Sequence, residues 1–464
     1  MNLTHLLRIL LLAIAISACS QHPPQLSDNT ANNRYQPEPY VQLTHPEWTK
    51  DAVIYQINTR QFTEAGTFQA AMQQLPRLQQ LGIDILWLMP IHPIGEINRK
   101  GSLGSPYSVQ DYYGVNPEFG SKEDFQAFVA KAHQLGMYVI LDWVANHSAW
   151  DNPLVTTHPE WYQRDWKGDF RPTPWWDWSD IIEFDYNQPG LRQYMTQAMR
   201  YWVEEMGVDG FRADVAGFVP LDFWENLRLE LEEVKQVFML AEFEGRDFHA
   251  RAFDATYGWT WGEAMHAIAT GQQDVHRLYV YYSWNENFYP QKVMRLLGVS
   301  NHDQNSWEGT EFERFGDALP AAMVLSFVSE GIPMIYNGQE AGYDKRLEFF
   351  ERDPIVWQQH PHGDLYQQLI ALKKNYSPLW NSDWGARMIP VHHNAEGNVL
   401  SFVRQDEQHT VFAVFNLSAK PQQLNFQHQL HHGDFTDYFS QQSQHFDATT
   451  ELKLPAWGYR VFVR

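Results

Sequence analysis

Residues 208–217 read VDGFRADVAG. In an extended chain alternate side chains face opposite ways, so Arg212 and Asp214 fall on one side and Phe211 and Ala213 on the other. A charge at the buried end of a strand is costly unless it is paired. An arginine two residues from an aspartate therefore reads either as an ion pair serving packing alone or as part of a reactive site. The other strands have to decide.

Short apolar strands alternate with amphipathic helical stretches along most of the chain. The strand segments are AVIYQIN (52–58), IDILWLMP (83–90), MYVILDWV (137–144), VDGFRAD (208–214), VFMLAE (237–242), FDATYGW (253–259), VMRLLGVS (293–300) and IPMIYNG (332–338). Between the second and third, SKEDFQAFVAKAHQLG places Phe125, Phe128, Val129, Ala132 and Leu135 at helical spacing and stops at Gly136. Eight strands with helices between them predict an α/β chain folded as a TIM (β/α)8 barrel, over residues 46–385. The rival, an open doubly wound sheet, calls for a Gly-rich phosphate turn after its first strand, and YQINTRQF is not one. A short subdomain, 148–187, is inserted after the third strand. From 386 to 464 the segments GNVLSFVRQ, HTVFAVFNLS, TELKLPA and YRVFVR alternate apolar and polar residues with turns between, which predicts a C-terminal antiparallel β-sandwich.

Bulk composition narrows the partners. Lys and Arg number 34 against 56 Asp and Glu, a net charge of −22, which repels polyphosphates and argues against nucleic acid. Aromatic residues at 15% are too many for disorder, and flat rings with a polar edge suit sugar faces. The N-terminus reads as an export signal: Arg8, an apolar run from Ile9 to Ala18 too short to span a bilayer, then ISAC. It resembles a bacterial lipoprotein signal peptide, 1–18, with lipidation at Cys19, the sole cysteine; disulfides then contribute nothing to stability. Residues 19–45, rich in Pro, Gln, Asn and Ser, read as a flexible tether. The expectation is an exported enzyme, lipid-anchored to the outer membrane and facing the periplasm or the cell surface, with the oligomeric state open.

Barrels of this kind gather reactive groups at the C-terminal ends of their strands. Those ends carry Asp142, Asn146 and His147 in DWVANH; Arg212 and Asp214; Glu242; and Asn301, His302 and Asp303 in SNHD. One strand-end carboxylate means little. Four polar clusters at four strand ends mark a site. In order and spacing, DWVANH, GFRAD, the Glu242 strand end and SNHD resemble the four motifs of the alpha-amylase family, glycoside hydrolase family 13. AVIYQINTRQF, YSVQDYYGVNPEFGS and GIPMIYNGQE extend the resemblance over roughly residues 50–464.

The resemblance implies hydrolysis of α-glucosidic bonds in starch, maltodextrin or related glucans by double displacement. Asp214 would be the nucleophile and Glu242 the general acid and then base, a pair of carboxyl groups set close together. Glu244, on the same strand face, is the competitor for the acid role. Arg212 would hold Asp214 ionised, since a nearby cation lowers a carboxyl pKa. Asp303 matches the family's third carboxylate. His147, His302 and Tyr107, the last as a stacking ring, match sugar-binding positions, and with Arg212 they complete the substrate-binding set. Asp142 would brace Arg212. No cofactor is required; a structural calcium stays open, with Asn146 its one indicated ligand, although Asp-x-Asp-rich calcium loops are absent. Seven of the 19 tryptophans lie at 143–178, with Trp175 or Trp176 as candidate walls of neighbouring glucose subsites. The same carboxylates would also serve a glucan transglycosylase or a trehalose-synthase-type isomerase. A non-catalytic glucan-binding lipoprotein is disfavoured, because all three carboxylates are present.

Overall fold

Eight short parallel strands close on themselves in the computed structural model, which describes residues 36–464. They are β1 (Ile54–Ile57), β2 (Ile85–Leu88), β3 (Tyr138–Trp143), β4 (Gly210–Ala213), β5 (Phe238–Ala241), β6 (Ala255–Tyr257), β7 (Met294–Leu297) and β8 (Ile332–Tyr336). Each pairs with its neighbours in sequence, and β8 returns to β1. The expected barrel is therefore present. Residues 41–464 form one compact unit, and residues 36–40 are irregular. The signal at 1–18 and lipidation at Cys19 lie outside the described residues. Among those residues, no helix is long and apolar enough to cross a membrane.

Alternation along the strands sorts the apolar side chains into two cores. Ile54, Ile85, Trp87, Ile140, Phe238 and Leu240 are among those that fill the barrel, while Leu86, Leu141, Phe211 and Met239 pack outward against the helices. On β4 this sends Phe211 and Ala213 to the helical layer, and Arg212 inward beside Trp87 and Tyr257. The helix Lys122–Gln134 follows its sequence signals. Ser121 and Asp124 form a capping box, its buried face carries Phe125, Phe128, Val129 and Ala132, and Gly136 takes φ +78° just beyond its end.

Two expectations need correction. Between β5 and β6 there is no α-helix, only the single 3₁₀ turn Asp247–His249. Phe248 packs against Phe243 and Phe253, at 4.9 and 5.5 Å between ring centroids, so an aromatic cluster fills this connection. The C-terminal strands do not all keep one polar face. They are β9 (Ile389–Pro390), β10 (Val399–Gln405), β11 (Thr410–Asn416), β12 (Gln422–Asn425), β13 (Gly433–Asp437), β14 (Ser443–Phe446), β15 (Glu451–Leu454) and β16 (Tyr459–Val463). They make a six-stranded antiparallel sheet, β9-β10-β11-β16-β13-β14, and a β12-β15 pair. Phe412 and Val414 of β11 face the sandwich interior, while Val411, Ala413 and Phe415 join the core that continues into the barrel's helices. A strand buried on both faces has no polar side to alternate. Buried Arg404 ties the sheet to the barrel through the carbonyls of Val328 and Ser329, at 3.1 and 2.7 Å.

Gly210 fixes how β4 enters the barrel. Its φ is +152°, and a Cβ there would overlap the Phe238 backbone of β5. Gly136 has a left-handed φ but open space around it. Gly210→Ala is therefore expected to cost about 2–6 kcal/mol, combining overpacking with backbone strain. Gly136→Ala should cost only about 1–2 kcal/mol. Denaturant unfolding of the two variants checks this, and equal losses would contradict it.

Candidate active site

Arg212 has no exposed surface and is surrounded by carboxylates. Its Nη1 donates to Asp142 Oδ1 at 2.7 Å and to Asp214 Oδ1 at 2.9 Å, and its Nη2 lies 2.9 Å from Glu242 Oε1. Nε donates to the Tyr257 hydroxyl at 3.2 Å. One guanidinium thus spans β3, β4 and the end of β5. It is fully buried, and its partners are the carboxylates and the Tyr257 hydroxyl.

A second buried guanidinium shows what location means. Arg228 Nη1 meets Asp254 Oδ2 at 2.6 Å, and Asp254 also meets His45 Nδ1 at 2.7 Å. Asp254 directly precedes β6, at the N-terminal end of the barrel, where charge pairs serve stability. Arg212 and its partners sit at the opposite end, where the strands open into a cleft of about 370 Å³. Six predicted residues line that cleft: Tyr107, His147, Asp214, Glu242, His302 and Asp303.

Asp142 is the hub behind them. Besides Arg212 it accepts from Trp87 Nε1 at 3.1 Å and from the Tyr107 hydroxyl at 2.9 Å. The Tyr107 oxygen in turn lies 2.7 Å from His302 Nε2, and Gln56 Nε2 lies 2.7 Å from His302 Nδ1. Gln56 can only donate from that nitrogen, so His302 carries its proton on Nε2 and donates it to Tyr107. The chain from Gln56 through His302 and Tyr107 to Asp142 is satisfied only with His302 neutral. Burial, with the Arg212 charge adding, pushes His302 down to about 3, and burial pushes His147 down to about 4. Both therefore stay neutral at ordinary pH.

The carboxylates depart from one expectation. Burial pushes Asp214 well up, reinforced by Glu242 and Asp142 and opposed by Arg212. Arg212 alone does not set the ionisation of Asp214 in the substrate-free site, because one cation is shared among three acids. Burial raises Asp142 to about 6 against the same opposing charge. Asp303 is the open member, with 44% of its side chain exposed and Oδ2 3.4 Å from His302 Nε2. Glu244 is excluded from the acid role. Its carboxylate accepts from the Thr260 backbone N–H and hydroxyl and pairs with Arg295, facing away from the cleft.

Several features escape the sequence. Glu242 Oε2 accepts the Val215 N–H at 2.7 Å, and Val215 holds φ +35°, a conformation costly for a β-branched residue. The chain turns there so that the residue after Asp214 presents its amide to Glu242. Of the clustered tryptophans, Trp178 lines the cleft; Trp176 stacks behind it at 5.1 Å, and Trp175 is fully exposed. Trp307, Phe349 and Phe350 also line the cleft. The Asn146 amide nitrogen lies 3.1 Å from Thr173 Oγ1 and 3.2 Å from His147 Nδ1. Among the described residues no group of three or more His, Cys, Asp or Glu is placed to hold a metal ion.

Residues 51–375 match the model of the alpha amylase catalytic domain, and residues 391–461 match that of the maltogenic amylase C-terminal domain. Barrel and cleft are of the glycoside-hydrolase class, and the chain belongs to the alpha-amylase family. It is 27% identical over 396 residues to alpha-amylase MalA of Haloarcula japonica, covering 81% of this chain and 57% of that protein. It is 24% identical to alpha-amylase 2 of Dictyoglomus thermophilum, covering 90% of this chain and 77% of the relative. The solved structure of maltogenic alpha-amylase AmyB from Thermotoga neapolitana superposes with a TM-score of 0.82 at 30% identity, covering 90% of this chain and 99% of the other.

Ionised Asp142 accepts from Arg212 and Tyr107, and turnover is expected to depend on that form. Because the Asp142 pKa is raised, that form is lost as pH falls through the raised value. Asp214 must also be ionised to attack and is likewise pushed up, so the pH profile of kcat/KM is expected to fall on its acid side at a pH above the ordinary carboxylate range. A profile flat down to pH 4 would contradict this.

Proposed function

We propose that the protein hydrolyses α-glucosidic bonds of starch, maltodextrin and related α-glucans by double displacement with net retention. The observation that carries this reading is the Arg212 fork, 2.9 Å from Asp214 on one prong and 2.9 Å from Glu242 on the other, in a cleft that also holds Asp303. An Asp214 oxygen attacks the anomeric carbon, and the bond to the departing sugar's oxygen breaks as Glu242 gives that oxygen its proton. Glu242, now ionised, takes a proton from water. The resulting hydroxide attacks the same carbon and frees Asp214. Asp303 and His147 hold sugar hydroxyls, and the Tyr107 ring lies under the reacting glucose, its hydroxyl fixed by Asp142 and His302. Arg212 keeps Asp214 and Glu242 on one fork throughout.

These steps require no cofactor, drawing only on the chain's own side chains and on water. The body is exported and tethered to the outer membrane through lipidated Cys19, a reading supported by the apolar run and the ISAC sequence before Ser20.

Asp214→Asn is expected to lower kcat on maltoheptaose by about 10³-fold or more while calorimetry still detects binding, because the amide fills the same space without attacking. Wild-type turnover in that variant would refute the nucleophile assignment. Products longer than the input, or trehalose from maltose, would replace hydrolysis by transfer or isomerisation. Dialysis against a chelator is expected to leave both activity and Tm unchanged; a fall in Tm restored by calcium would overturn the metal-free reading.

A further inference from the structure

Three loops from three different strand ends meet over one side of the cleft. The loop after β2 carries Lys100, whose Nζ donates to the Asp177 carbonyl of the inserted subdomain and lies 3.6 Å from Asp177 Oδ1 and 3.8 Å from Asp180 Oδ1. Two residues on, the same loop is fastened to the segment after β8. The Ser102 N–H donates to Glu351 Oε1 at 2.7 Å, its hydroxyl bonds the same carboxylate, and the Leu103 N–H donates to the Phe350 carbonyl at 3.2 Å. Between the two fastenings sits Gly101, at φ +62°, where a Cβ would collide with Phe350. The two loops touch there, with no room for a side chain on Gly101. Lys100, Asp177, Asp180 and Phe350 all line the cleft, so the fastened loops bound it on this side.

The barrel order says which end. β1 lies between β8 and β2, and β5 lies across the barrel from it. The wall rises from the ends of β2, β3 and β8, while Glu242 stands at the end of β5. The acid must face the oxygen of the departing portion, so that portion leaves over the β5 side. The glucosyl portion held by Asp214 extends toward the wall. We infer that the clasp Asp177–Lys100 and Ser102–Glu351 closes the non-reducing side of the cleft, so that the enzyme acts from chain ends and releases short oligosaccharides.

This rests on the hydrolase reading above and adds to it the mode of attack. Packing alone is the plainer account of such contacts, and Asp177, being largely exposed, would contribute little stability by its charge. Stability is not what the clasp explains. An internal stretch of glucan must continue past the reacting glucose in both directions, and a chain end need not.

The test uses maltoheptaose bearing a chromogenic aglycone at its reducing end, with and without a bulky acetal cap on the terminal non-reducing glucose, and products read by chromatography. The uncapped substrate is expected to be cleaved at least about 100-fold faster than the capped one, since the cap meets the wall. Equal cleavage of both overturns the inference and leaves the hydrolase reading standing. Failure to cleave either overturns that reading and this one with it. In Lys100→Ala and in Glu351→Ala the capped-to-uncapped ratio is expected to rise by about tenfold or more, a ratio that general loss of folded protein does not move. An unchanged ratio in both variants overturns the assignment of the wall to these residues.

Discussion

A guanidinium with no access to water needs partners, and inside this barrel the partners of Arg212 are Asp142, Asp214, Glu242 and the Tyr257 hydroxyl. Burial strips water from Asp142 and Asp214, and one cation shared among three acids offsets this only in part, which is why both are pushed up. The arrangement makes little sense as a device for stability, because a well-packed apolar core would do as well or better. As chemistry it is economical. One rigid planar group fixes the spacing of two carboxylates, and the surplus charge favours keeping a proton in the site.

The rest of the fold supports that fork. Gly210 lets β4 lie against β5 closely enough for Arg212 to reach Glu242. Val215 turns the chain after Asp214 so that its amide steadies the second Glu242 oxygen. Gln56, His302 and Tyr107 carry neutral hydrogen bonds from β1 round to Asp142, holding the cleft floor without adding charge. At the other end of the barrel, Arg228 and Asp254 show the same chemistry used for structure, with His45 pinning an incoming segment.

Much of this is legible in the sequence, and the illegible remainder has physical reasons. The period of two in GFRAD is enough to put Arg212 and Asp214 on one face, and strand ends collect Asp142, Glu242, His302 and Asp303 because the barrel rule is topological. What depends on loops meeting in space is not written locally. Trp178, Phe349 and Phe350 come from distant segments, and the contact of Ser102 with Glu351 spans most of the barrel sequence. Val215 gives no warning, since a β-branched residue is the last expected at positive φ. The missing helix between β5 and β6, and the double-faced burial of β11, reflect tertiary packing overriding a local pattern. The shift of Asp214 depends on how deeply it is buried, which spacing alone does not report.

If one guanidinium dictates the separation of Asp214 and Glu242, no water fits between Asp214 and the anomeric carbon, and the reaction must pass through a bond to Asp214. Proton NMR of the first product released from a maltooligosaccharide, recorded before mutarotation, reads this directly. The α-anomer appearing first is the predicted result; the β-anomer appearing first would mean single displacement by water and would contradict the geometry proposed for the site.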